Sequence, residues 1–526
     1  MGPNAKNGIK TNNGTATEGT YMRGIRRGWM VSAALVAALV QSFPARAADK
    51  VLTITSQSTI TMVNPYGESE TQMYFIWCEV YGCLGRLDYI KKKYVGMLAE
   101  KWEVINPTTW RFTLRKDLKR HDGGPGPTSR DIVHSWKRIM TDPDSAQRYM
   151  LFEIKEIVAV DDYTFDIVTL KPTGQVVSDL FSQFAITSAD LYEKYGKDAD
   201  KTHPFGWGPF KLDDFAVDNR IVLKKSDLWP EKRPQAPDVV VYRQMREPEQ
   251  RVTAVLNNEV QVARLVPPQL VARLKNRPDV KVVETGSVEL MFLAFSPVAK
   301  PWDDVRVRQA AAYAINRDVI IKRLLLGYAD KLEGALGPNQ FCYAGPSKAA
   351  IGYDPQKAKA LLAEAGYKNG GPEIEFYTST GRYISDRQVS EAIAQMLSQV
   401  GFKVRLVTPE WANLWADVRN GKTPMYYMGR GQVADPSIAL SQYFETGVSP
   451  RIKYSNPQVD AMFEKVRSTF DPEERCKHIR EVADKLATDV PAHFLWTHRL
   501  INGVRANVTW PQDPTGEAWL LDVKMQ

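Results

Sequence analysis

Apolar and polar residues follow two distinct periods along most of the chain. In residues 109–115, Trp110, Phe112 and Leu114 fall on one face and Arg111, Thr113 and Arg115 on the other, the two-residue period of a half-buried strand. Val51–Ser56 reads as a buried strand, and 164–170, 239–242, 280–284, Leu290–Phe295, 374–377 and Lys403–Val407 as further strands. Helical periods open on recognisable signals. Thr128 stands three residues before Asp131 and ahead of the run 132–140, a capping-box spacing. Asp354-Pro355 opens a helix with Ala358, Leu361, Leu362 and Ala365 on one face and Gly366 as its stop. Ser385 or Asp386 opens another, striped by Val389, Ile393, Met396 and Leu397 and ended by Gly401. Asn456-Pro457 and Asp471-Pro472 open two more. Strands and helices alternate over 290–321 and 358–407, which predicts an α/β lobe with a covered sheet; 101–213 is richer in strands and loops. No internal repeat is visible, so short crossover strands are expected to join the domains.

The N-terminus bears on the compartment. Arg23, Arg26 and Arg27 precede an apolar run from Trp29 to Val40, and Ala45-Arg46-Ala47 follows. A basic region, a short apolar region and a small-x-small site make a secretory signal peptide. The apolar run is well short of the roughly 20 residues a membrane span needs, and no cysteine sits at the cleavage point to carry a lipid. Arg26-Arg27 leaves general secretion and a twin-arginine route both open, and Met22 is an alternative start. The leader also explains the charge. Of 69 basic and 61 acidic residues, six and one lie in the first 47, leaving 63 against 60. A basic patch for nucleic acid or a membrane surface therefore largely disappears with the leader.

The remaining chain is too long for one ordinary core, and two or three compact units are expected. Cys78, Cys83, Cys342 and Cys476 allow three full disulfide pairings in an oxidising compartment. Cys78 and Cys83 could suit zinc, but no second pair or nearby His completes a site. Reaction chemistry is not legible. There is no G-x-S-x-G and no H-E-x-x-H, and Gly421-Lys422-Thr423 has Ala416 where a phosphate-binding loop requires Gly. The six histidines are scattered, with only His493 and His498 near one another. A secreted hydrolase is kept as an alternative, since triads are spatial rather than sequential.

Four stretches carry a family resemblance. Met97-Leu98-Ala99-Glu100-Lys101-Trp102-Glu103 leads through residues 109–115 to His121, Asp122, Gly123 and Ser129-Arg130-Asp131-Ile132-Val133. Gly206-Trp207-Gly208-Pro209-Phe210 follows, then Trp302-Asp303-Asp304-Val305-Arg306-Val307-Arg308-Gln309-Ala310 with Tyr313-Ala314-Ile315-Asn316-Arg317, then Tyr353-Asp354-Pro355. In that order they resemble the peptide/opine/nickel group of extracellular solute-binding proteins. The resemblance implies an α/β, two-lobe periplasmic-binding-protein clamshell of the class II-like, large peptide-binding type. Residues 1–47 are then extension and signal peptide, 48–288 plus 498–526 lobe I with an extra subdomain at about 90–205, and 289–497 lobe II, with the hinge near 283–290 and 494–499. It implies no enzyme activity, cofactor or resident metal. It implies a periplasmic, monomeric receptor that captures a peptide or peptide-like solute and delivers it to an inner-membrane ABC permease. The same fold binding an opine-like or other anionic solute, or a metal chelate, is the alternative.

The resemblance also suggests ligand contacts. Arg382, followed by Tyr383, stands where dipeptide-binding relatives place an arginine against the ligand carboxylate, and its planar fork suits that group. Those relatives pair an aspartate with the ligand amine before an Asp-Pro. If Asp435-Pro436 is aligned there, the amine position is Gln432, with Arg430 where an aromatic residue is usual; if the alignment slips by three, Asp435 is the amine partner. Without that slip the cleft is short of a negative anchor and rich in arginine, which favours an anionic or N-substituted ligand. Trp207 and Tyr427 are the aromatics expected at a ligand wall, whereas Trp411, Trp415 and Tyr426 are expected in the core.

Overall fold

The computed structural model describes residues 49–526 apart from 58–59, 61–62, 68–70, 90, 92, 149–150, 152, 182–183, 369 and 432–434. The signal-peptide reading of 1–47 and the Gln432 expectation lie outside the described residues.

A twelve-stranded mixed sheet runs through the described residues. Its axis is the long strand Ala492–Arg505. The first part of that strand pairs with Leu290–Phe295, from Met291 opposite Trp496 to Ala294 opposite Ala492. The second part pairs with Val280–Gly286, from Gly286 opposite Arg499 to Val280 opposite Arg505. One continuous strand thus belongs to both halves of the sheet, and the chain crosses back only at Ser287, Val288 and Glu289. Beyond Leu290–Phe295 lie Met425–Arg430, Glu373–Tyr377 and Lys403–Val407; on the other side lie Val262–Ala263, Val51–Ser56, Val239–Gln244, Arg220–Lys225 and Phe210–Ala216. A separate four-stranded antiparallel sheet is built from Ala99–Asn106, Thr109–Leu114, Thr164–Thr169 and Ile154–Ala159.

The local signals act as their chemistry requires. Trp110, Phe112 and Leu114 are buried, and Phe112 stacks on Phe165 at 5.3 Å. Thr128 and Asp131 form both bonds of the capping box. Asp354, Asn456 and Asp471 each cap a helix whose first residue is proline, where the missing N–H is harmless. The Asp386–Val400 helix buries Val389, Ile393 and Leu397 and ends at Gly401 with φ of +122°, a conformation that glycine alone adopts cheaply.

Separate apolar cores form on the two sides. One gathers Leu52, Ile54, Trp77, Phe112, Phe165 and Leu223 with others. Two more cover opposite faces of the other half, around Leu293, Phe376 and Ile393 and around Phe292, Tyr443 and Phe494. Cys78 pairs with Cys83 and Cys342 with Cys476, which selects one of the three pairings and leaves no thiolate for zinc. Among the described residues no helix is long and apolar enough to cross a membrane.

Candidate functional site

The two halves enclose a cleft of roughly 1220 Å³, large for a single small-molecule pocket. Its floor is the crossover itself, Glu289 and residues 498–501, and its walls come from both sides of the sheet.

One wall is organised by a buried aspartate. Asp386, 2% exposed, opens the helix that follows the Glu373–Tyr377 strand. Its carboxylate accepts from the backbone amides of Gly381, Arg382, Tyr383 and Arg387 at 2.9–3.2 Å and from Ser379 Oγ at 2.8 Å. Gathering these donors on one carboxylate holds the 379–385 loop in place and thereby the Arg382 side chain. The Arg382 guanidinium lies 5.2 Å from the Tyr383 ring centre and 5.1 Å from that of Trp411, a cation–π clasp. Among the described residues no hydrogen bond or ion pair engages its nitrogens, and the residue is exposed to the cleft. Burial pushes the Tyr383 phenol up, so it stays protonated and donates to the Gly429 carbonyl at 3.3 Å.

Glu289 faces the same space and was not singled out from the sequence. Leu290 is opposite Arg430 and Met291 opposite Gly429 in the antiparallel ladder, which sets Glu289 beside Gly431. A Cβ added at Gly429 would come 2.7 Å from Glu289 Oε1 and 2.8 Å from both Met291 Sδ and the Tyr383 ring. Only glycine leaves the carboxylate that room. Burial raises the Glu289 carboxyl, against the opposing pull of Arg382 and then Arg430. Arg430 also lines the cleft and donates from Nη2 to Gln442 Oε1 at 2.6 Å. The expectation of a cleft without a negative anchor is therefore corrected: a carboxylate is present, contributed by a segment far from the Asp435 region in sequence.

The other sequence candidates are distributed differently. Asp435 is 1% exposed and lies outside the cleft lining. It caps the Pro436–Phe444 helix through Ser437 N at 2.9 Å and pairs with Arg475 Nη1 at 2.6 Å. Burial alone would raise its carboxyl, but Arg475 and Ser437 hold it below the usual carboxylate range. Its Oδ1 is thus directed to Ser437 and its Oδ2 to Arg475. Trp207 is 2% exposed; its amide bonds to the Tyr81 carbonyl and its indole Nε1 to the Pro125 carbonyl at 2.9 Å. It borders a smaller cavity with Arg120 and Thr128, away from the cleft. Tyr427 is fully buried beneath Tyr383, with ring centres 6.1 Å apart, because the strand's alternation turns it into the core. Trp411 and Trp415, expected in the core, instead stack at 5.9 Å and line the cleft. Tyr426 is in the core, as expected.

Three arginines on the facing walls have acid partners. Arg264 pairs with Glu517 at 2.5 Å, Arg467 with Glu445 at 2.7 Å and Arg499 with Asp330 at 2.7 Å. His498, 3% exposed on the floor, is held neutral by burial, its ring pushed down to about 4. The arrangement can grip a charged solute and exclude water. Among its described residues nothing pairs a nucleophile with a base.

Comparison with known proteins agrees with this geometry. The model for bacterial extracellular solute-binding proteins, family 5, middle region, matches residues 93–450. The glutathione-binding protein GsiB of Pectobacterium atrosepticum is 29% identical over 501 residues, covering 92% of this chain and 95% of that protein. The dipeptide-binding protein of Escherichia coli K12 is 29% identical over 460 residues, covering 82% and 86%. Among solved structures, the PBP AgaA of A. tumefaciens R10 in complex with agropinic acid superposes with a TM-score of 0.73 at 26% identity, covering 90% and 99%.

Proposed function

This chain belongs to family 5 of the bacterial extracellular solute-binding proteins, a family of transport receptors rather than enzymes, and on that footing we propose that it is a periplasmic ABC-importer receptor for a small peptide or peptide-like solute bearing a carboxylate. The observation that carries this reading is the Arg382 guanidinium, clasped by Tyr383 and Trp411 in the cleft and engaged by no hydrogen bond among the described residues. A bidentate carboxylate suits its planar fork. Arg430 is the second cation within reach and Tyr383 the adjoining wall. Relatives named for glutathione and a dipeptide support a peptide; the likeness to a structure holding agropinic acid keeps an opine-like solute as the second reading.

In this reading the lobes are 48–288 plus 498–526 and 289–497, the chain acts as a monomer, and residues 1–47 direct it to the periplasm. Ligand stabilises the closed form because contacts from both lobes form only there. The test is native mass spectrometry of protein taken from the periplasm, with identification of any released solute, followed by thermal unfolding against di- and tripeptides and opines. A true ligand at about 100 times its Kd adds about 2.7 kcal/mol of stability, and Arg382→Ala abolishes that gain while leaving the unliganded melt in place. No released solute and no shift with any compound would sink the proposal.

A further inference from the structure

We propose that Glu289 is the anchor for the cationic end of the solute and that, set against Arg382, it makes the cleft selective for zwitterions over simple anions. This rests on the reading of the cleft as the ligand site and names the charge pattern the ligand must carry.

Position is the first argument. Glu289 is on the crossover between the halves, where hydrogen bonds hold the backbone from several sides. Ser287 N donates to the His498 carbonyl at 3.0 Å, Val288 N to Pro514 O at 3.1 Å, and Glu289 N to Ser287 Oγ at 2.9 Å. Gln340 Nε2 and Thr497 Oγ1 donate to the carbonyls of Val288 and Ser287. A carboxylate so mounted keeps its place as the lobes move about it.

Room is the second. The carboxylate lies over Gly429, where a Cβ would stand 2.7 Å away, and 3.8 Å from one at Gly431. Two residues without side chains leave the space above the strand end open to a ligand.

Partnership is the third. Among the described residues no donor bonds to the Glu289 carboxylate and no cation stands within ion-pair distance, although Arg382 and Arg430 act on it through space. Glu517 on the lining, and Glu445 and Asp330 next to it, each have a direct arginine partner; Glu153, the other lining carboxylate without one among the described residues, stands in the field of Arg467 rather than of Arg382. A half-buried carboxylate without a donor is costly unless something supplies one. An ammonium group on the solute supplies it, and the same solute's carboxylate completes Arg382. Amino acids, peptides with a free amine and amine-bearing opines carry both groups; dicarboxylates and N-acylated peptides carry only one.

The test compares wild type with Glu289→Gln by isothermal titration, against a library of free-amine di- and tripeptides including glutathione, their N-acetyl forms, opines and plain dicarboxylates. The expected result is that every binder carries an ammonium group, and that N-acetylation or Glu289→Gln weakens binding at least tenfold with the circular dichroism spectrum and melting midpoint retained. Binders that are amine-bearing opines but not peptides would overturn the peptide reading and leave Glu289 standing. Peptides that bind Glu289→Gln as well as wild type, or whose N-acetyl forms bind equally, would overturn the role of Glu289 and leave the peptide reading standing. No binder at all would overturn both.

Discussion

The amide of Gly174 donates to the carbonyl of Arg467 at 2.7 Å, joining the half that carries the four-stranded sheet to the half that carries Arg382. Around this bond, Gln175 Oε1 accepts from Ser437 Oγ at 3.3 Å and Arg475 Nη2 at 3.4 Å, and Trp110 meets Phe470 with ring centres 6.0 Å apart. Gln175 and Arg467 also line the cleft, so the contact forms its edge.

A side chain at position 174 tests whether this contact contributes to closure. A Cβ there would stand 2.3 Å from the Thr469 carbonyl oxygen, so Gly174→Ala must separate the two segments. The contact is expected to belong to the closed form, so that in the variant a ligand favouring that form works against a less favourable equilibrium. The expected outcome is about tenfold weaker binding, roughly 1.4 kcal/mol, with a larger radius of gyration by small-angle scattering. Unchanged affinity and scattering would show that the contact does not contribute to closure.

Asp435 is expected to matter for stability rather than for ligand charge. Asp435→Ala leaves the Arg475 guanidinium, 6% exposed, without its acid, and breaking a buried pair from one side costs about 3–5 kcal/mol. Urea denaturation should record that loss, and the double change Asp435→Ala with Arg475→Met should recover much of it. A double variant as unstable as the single would show that the lost helix cap dominates.

The two disulfides should contribute unequally. Cys342–Cys476 closes a separation of 134 residues and Cys78–Cys83 one of 5. Chain entropy gives about 5 kcal/mol for the longer loop and about 2 for the shorter. Denaturation of the two double-serine variants checks the order; equal losses would mean that native packing around each bridge outweighs the loop.

The pH dependence of stability contains two opposed contributions. His493 and His498 are pushed down by burial, His498 to about 4. The unfolded chain binds their protons near 6.5, whereas the folded chain takes up that of His498 only near 4 and that of His493 only well below its ordinary range, so their contribution is present above about pH 6.5 and lost as the pH falls, with a slope of up to about 1.4 kcal/mol per unit for each. Glu79 is the reverse: burial raises its carboxyl to about 8 despite the bond from Leu520 N. Its contribution is present below about 4.5 and lost as the pH rises through about 8. Between pH 6.5 and 8, wild type should lose stability more steeply than Glu79→Gln, measured by denaturant unfolding; parallel profiles would exclude Glu79 as the source.

Many helices and strands were legible because their signals are local. A capping box such as Thr128 with Asp131, a proline after Asp354, and the alternation of Trp110, Phe112 and Leu114 involve residues a few positions apart, and neighbours set by helix or strand geometry decide them. Arg382 could be placed because family motifs order the chain around it. Trp207 and Tyr427 misled because their residue type suits a ligand wall as well as a core. Trp411 and Trp415 misled in the opposite direction for the same reason.

The sequence by itself determined the α/β alternation, the helix starts and stops, and the family to which the chain belongs. The tertiary structure alone decided what occupies the cleft wall. Glu289 meets Gly429 and the field of Arg382 through the antiparallel register of Leu290–Phe295 against Met425–Arg430, and Asp435 is paired with Arg475 of the Pro472–Asp489 helix rather than placed on the cleft lining. Such contacts depend on how distant segments pack, and a one-residue change of register would turn each strand side chain to the opposite face.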